Sequence, residues 1–207
     1  EGGGVESDRG PSTKPPGDYG EAVVKPPGWT WEIPLYVFVG GAAGMAPLLA
    51  FAGLLLGLTH LTVNALRIAA AGAVISPILL VMDLGRPQLF LNMLRIFKHR
   101  SPMSVGAWIL SVFGAFAVPA WLVFELYYNE AFAPSIRLLV LVVAGAFILG
   151  AALAGLGLAT YTGVLLGATA IPAWFLHRVL LPIHFGSSGL GCAASVLELL
   201  GFHLRPR

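Results

Sequence analysis

Apolar residues along the chain gather in five long runs, about 34–58, 64–84, 103–128, 136–168 and 181–203, with polar residues collected in the stretches between them. Each run reaches the ~20 residues needed to cross a ~30 Å hydrocarbon core. The pattern predicts an all-α integral membrane protein, a bundle of about five transmembrane helices in which the first four form a four-helix bundle. The run at 136–168 exceeds one ordinary crossing at ~1.5 Å per residue and reads as a single tilted helix that projects past the bilayer. Residues 1–28 behave differently. Gly2 to Gly4, Pro11, Pro15, Pro16, Pro26 and Pro27 break any periodicity and charges of both signs are scattered through them, so this segment reads as a disordered or partner-contacting tail. The helical membrane domain then covers 29–207, with a basic loop at 85–102.

Composition places the chain in the same class. Hydrophobic residues make up 57% and charged residues 11%, against about 25% charged in a soluble domain. A net charge of +2, with no basic tract interleaved with aromatics, argues against nucleic acid as a partner. The single Cys192 excludes an intramolecular disulfide, a cysteine-based zinc site and an iron-sulfur cluster held by this chain. His60, His99, His177 and His184 fall in turns or at interfaces, and His203 has no counterpart, so facing haem ligands are not supplied. Any electron-transfer metal therefore has to sit elsewhere.

Candidate chemistry collects at helix ends. Trp29, Trp31 and Tyr36 open the first span, where amphipathic rings sit at headgroup level, and Gly40-Gly41-Ala42-Ala43-Gly44 allows close helix approach. Glu32 and Tyr36 are four apart and share a helix face; Glu32 is either an interfacial anchor or, with the phenol, faces a polar ligand head group. Asp83 and Arg86 can pair across the end of the second span, where Gly85 and Pro87 stop the helix. Asp83 is then a capped terminus or a proton-accepting group. Arg86, Arg95, Lys98 and Arg100 make the next loop basic, as a topology signal, a docking platform for a peripheral subunit, or both. Gly186, Gly189 and Gly191 make the first half of the fifth span adaptable.

Counting crossings brings these features together. Trp29, Trp31, Glu32, Tyr36, Asp83, Arg86, Trp108, Tyr161, His177 and His184 gather at one membrane face, called here side one. His60, Arg67, Glu125, Glu130 and Arg137 gather at the other, side two. An aromatic-walled pocket with an acid and a phenol suits an amphipathic ring whose carbonyls need hydrogen bonds and whose reduction takes up protons, as in a quinone. The positive charge on side one makes it the cytoplasmic side by the positive-inside rule.

Asp83-Leu84-Gly85-Arg86-Pro87, Phe90-Leu91-Asn92-Met93-Leu94, Ser101-Pro102-Met103-Ser104 with Gly106-Ala107-Trp108, the Gly40–Gly44 stretch and Tyr161-Thr162-Gly163-Val164-Leu165-Leu166 resemble, in order, the NrfD / polysulfide reductase membrane-subunit family. The resemblance covers roughly 29–190. It implies a helical subunit of the bacterial or archaeal plasma membrane that binds menaquinone or ubiquinone reversibly. Such a subunit exchanges electrons with a ferredoxin-like iron-sulfur subunit, and through it with a catalytic subunit. By motif position it implies a quinone site at Glu32, Tyr36 and Tyr161, to which Trp108 is added as an aromatic wall. Proton transfer then falls to Asp83 and Glu32, and partner docking to Arg86, Arg95, Lys98 and Arg100. Family members can dock the partner outside the cytoplasm, and they usually run to about eight helices or more, so the chain reads as a short form or as part of a longer subunit. Two further readings stay open: a proton-translocating subunit using Glu32, Asp83, Glu125 and Glu198, and a purely structural membrane anchor.

Overall fold

Each apolar run folds as one helix, because a backbone without water to bind must satisfy its own N–H and C=O groups. The computed structural model describes residues 31–83, 102–167, 174 and 176–203. Helix α1 is Glu32–Leu55, α2 Thr59–Asp83, α3 Pro102–Tyr128, α4 Arg137–Gly167 and α5 Leu180–His203. All five are long and apolar enough to cross a membrane. The tail at 1–28 and nearly all of the basic loop lie outside the described residues.

The connections follow from local chemistry. Gly57 adopts φ +70°, which lets Leu58 N donate to Gly53 O at 2.8 Å and Gly57 N to Leu54 O at 3.2 Å, a Schellman ending for α1. Helix α2 begins at Thr59, ahead of the apolar run at Asn64, and its polar first turn is tied down by Thr62. The Thr62 hydroxyl donates to Leu58 O at 3.1 Å and lies 3.3 Å from Ala50 O. The same ending recurs after α3, with Glu130 at φ 57° in the glycine position and Ala131 N donating to Leu126 O. A short 3-10 turn, Pro134–Ile136, leads into α4. Helix α4 has 31 residues, about 46 Å of helix at 1.5 Å per residue.

Packing places α1 against α2, α4 and α5, and α3 against α2 and α4. The first four helices therefore close a ring, with α5 seated over α1 and α4. Small residues make the close contacts, as expected where van der Waals packing rather than water exclusion drives association. A Cβ at Gly155 would lie 2.0 Å from Gly44 O, and one at Gly189 2.8 Å from Gly41 O, so α4 and α5 meet α1 backbone to backbone. Gly163 meets Leu181 and Pro182 of α5 in the same way. Gly186 and Gly189 of the fifth span thus serve as contact points within a continuous helix. The core is largely alanine, with Phe113 and Phe124 as its largest wholly buried side chains.

Candidate functional site

Tyr36 stands one turn into α1, with Gly40 on the next turn of the same face. A Cβ at Gly40 would lie 3.9 Å from Tyr36 Cε2 and 3.7 Å from Ser76 Oγ, so the Tyr36 ring and the Ser76 hydroxyl of α2 both border Gly40. Ser76 is wholly buried, and its hydroxyl has no hydrogen-bond partner. Leaving a buried donor unsatisfied costs about 1–3 kcal/mol, so Ser76 Oγ marks a place where an acceptor is missing.

Tyr161 approaches from the fourth helix. Its ring lies against Gly106 of α3, where a Cβ would come within 2.7 Å of Tyr161 Cε1. Glycine at 106 is therefore what allows the ring to lie across α3. The Gly106 amide is within hydrogen-bonding reach of the Tyr161 hydroxyl. The Tyr36 and Tyr161 hydroxyls are also near enough to influence one another electrostatically. Three helices thus bring two phenols and one unpartnered alcohol to the side-one end of the bundle. The phenols have the chemistry to donate hydrogen bonds to the oxygens of a quinone ring, whereas the Ser76 hydroxyl, with no exposed surface, would meet such an acceptor only where the packing around Gly40 opens.

The other predicted residues are distributed as follows. Glu32 is the first residue of α1 and Asp83 the last of α2, at the same end; their side chains are outside the described residues. Trp108 is partly exposed and two residues beyond Gly106, hence about 200° around the helix from the face that meets Tyr161. Arg86, Arg95, Lys98 and Arg100 lie outside the described residues.

Side two is built from charges. Arg67 grips Glu125 with two hydrogen bonds, Nε donating to Oε2 at 3.0 Å and Nη2 to Oε1. Trp121 Nε1 donates to the same carboxylate at 3.1 Å, and Asn64 accepts from Arg67 at 3.2 Å. Tyr128 and His60 are linked at 3.1 Å, and Arg137 lies over the Tyr127 ring and 3.6 Å from Glu130. A cleft of about 140 Å³ opens beside this network, lined by Gly53, Leu54, Thr62, Phe124, Tyr127 and Leu141 among others. That is below the roughly 300–1,000 Å³ of ordinary ligand pockets. Among the described residues no three His, Cys, Asp or Glu side chains gather as a metal site.

Sequence reasoning did not single out Ser76. The available signal was a lone hydroxyl beside Pro77 within the apolar stretch Val74–Met82. Nor did it pair Arg67 with Glu125, although it set both at one membrane face.

No curated protein and no solved structure matches the chain. The family model described as polysulphide reductase, NrfD, matches residues 23–204, and the chain belongs to that family.

Proposed function

We propose that this chain is the quinone-reactive membrane subunit of an oxidoreductase complex in a bacterial or archaeal plasma membrane. It exchanges electrons between the quinone pool and an iron-sulfur subunit, and through that subunit with a catalytic one. Members of the family are membrane subunits of oxidoreductase complexes linked to the quinone pool, which supports the reading at the level of class. The observation that carries it to residues is the convergence of Tyr36, Tyr161 and the unpartnered Ser76 hydroxyl at one end of the four-helix ring.

In this reading the phenols and Ser76 hold the ring oxygens by hydrogen bonds, and the apolar wall around Gly40 and Gly106 keeps water away from them. A bound quinone supplies a couple that takes up or releases two electrons and two protons. Asp83 and Glu32, at the helix ends nearest the surface, pass protons between that end of the bundle and water. Trp108 stands on the lipid side of α3, beside the route a ring takes from the bilayer. Arg86, Arg95, Lys98 and Arg100 form the cationic surface on which the iron-sulfur partner sits.

The test is binding of a quinone-site inhibitor to the chain in nanodiscs, followed by tryptophan fluorescence. Wild type binds saturably, and Tyr161→Phe and Tyr36→Phe each bind about fivefold more weakly, the scale of one hydrogen bond of about 1 kcal/mol. Absence of saturable binding by wild type refutes the function. Binding that neither substitution alters refutes the site.

A further inference from the structure

Helices α1, α2 and α3 each carry a proline in their interior, Pro47, Pro77 and Pro119. A proline has no N–H to give to the carbonyl four residues earlier and crowds that carbonyl, so each is a place where its helix bends most readily. What differs is how the helix is held beyond it. Past Pro47, the backbone of α1 at Ala50 meets the Thr62 hydroxyl of α2. Past Pro119, Glu125 is gripped by Arg67 and Tyr128 is linked to His60. Past Pro77 come Ile78, Leu79, Leu80, Val81 and Met82, which have no polar group with which to tie α2 to a neighbour. Of these only Leu79 is buried, and Ile78 and Met82 are more than half exposed.

On the other side of Pro77, α2 is fixed. A Cβ at Gly72 would lie 2.1 Å from the Ala43 Cβ of α1, and Thr62 and Arg67 hold the far end. The boundary between the fixed and the loosely held part falls at Ser76 and Pro77. Two unmet needs meet there. Pro77 offers no donor to Ala73 O, so bending at this point breaks no hydrogen bond between them. The Ser76 hydroxyl is wholly buried without a partner, and separating α2 from α1 at Gly40 exposes it to an acceptor, which offsets part of the cost of separation.

We propose that residues 77–83 are a hinged gate at the side-one end of the bundle. The gate swings away from α1 about Pro77 to admit a ligand ring between Gly40 and Ser76, and closes over it. The identity of that ligand rests on the quinone reading above; the hinge does not. A bend of about 20° carries the Asp83 backbone, six residues and about 9 Å beyond Pro77, through about 3 Å. The last residue of α2 therefore moves with the gate, so its distance from the ligand depends on whether the gate is open.

The experiment measures distances between two nitroxides on the full chain with Cys192→Ala in nanodiscs. One label is attached through Leu153→Cys on α4, the other through Met82→Cys beyond the hinge or Val74→Cys before it, all exposed positions. Without ligand, the Met82→Cys pair shows two components separated by about 3 Å, and the Val74→Cys pair shows one. Pro77→Ala and Pro77→Leu, which restore the donor to Ala73 O, leave the Met82→Cys pair a single component, and unchanged Val74→Cys distances show that the bundle is intact. A quinone-site inhibitor shifts the Met82→Cys pair toward one component and leaves the Val74→Cys pair as it was. A single Met82→Cys component with and without inhibitor overturns the proposal, as does a second component that survives both proline substitutions. Saturable inhibitor binding that leaves the two populations unchanged overturns the gate. Absence of inhibitor binding refutes the quinone reading instead, and the ligand-free comparison of wild type with the proline variants still decides the hinge.

Discussion

Gly155→Ala tests whether the α1–α4 contact holds the site together. The added Cβ would lie 2.0 Å from Gly44 O and 2.9 Å from Gly44 C. The carbonyl it meets belongs to helix backbone and cannot turn aside without giving up its own hydrogen bond. Cβ contacts essentially never fall under 3.0 Å, so α1 and α4 must separate by about 1 Å. Overpacking of this kind costs about 1–3 kcal/mol, and glycine to alanine in a helix interior returns about 0.5–1 kcal/mol. The net expectation is a loss of about 1–2 kcal/mol in equilibrium unfolding in mixed micelles. Two further substitutions set the scale. Gly44→Ala brings a Cβ to 2.7 Å from Gly155 O, a smaller intrusion, and Gly114→Ala meets nothing within 4 Å. Stability therefore ranks Gly114→Ala first, then Gly44→Ala, then Gly155→Ala. Because α1 carries Tyr36 and α4 carries Tyr161, Gly155→Ala also weakens inhibitor binding without touching either phenol. Equal stability of Gly155→Ala and Gly114→Ala would refute the backbone contact and the dependence of the site on it.

Arg67→Gln and Glu125→Gln each destabilise the bundle, and a double-mutant cycle gives a coupling of about 1 kcal/mol, the upper end for exposed ion pairs because the grip is two-pronged; additive single effects would show that the pair is idle. Gly57→Ala loses about 1 kcal/mol through its positive φ alone. Glu130→Gly gains a similar amount, reduced by the loss of an exposed ion pair worth about 0–1 kcal/mol, so opposite shifts in unfolding check the two helix endings together. Ser76→Ala raises ligand-free stability by about 1 kcal/mol while lowering inhibitor affinity; a fall in stability would mean that the hydroxyl already has a partner.

The sequence makes depth legible and leaves rotation hidden. Hydropathy and the parity of crossings set Tyr36 and Tyr161 at one end of the bundle and Arg67 and Glu125 at the other. Whether two residues at the same depth meet depends on how each helix is turned about its axis, which side-chain packing decides. Arg67 and Glu125 are 58 residues apart, so no spacing rule connects them. Trp108 shares the depth of the site but stands on another face of α3 from Gly106. Ser76 is hidden for a different reason, since one hydroxyl among Val74, Ile75, Ile78 and Leu79 hardly alters an apolar run. Glycine in α5 reads as looseness in a sequence, whereas Gly186 and Gly189 mark where another helix comes closest.

The ring order of the helices also bears on the connection between α2 and α3. The α1–α2 hairpin meets the rest of the bundle along separate seams, α2 on α3 and α1 on α4 and α5. Those seams hold the two halves in register. A break in that connection would leave two fragments, each with at least two spanning helices, that can find one another again in the bilayer.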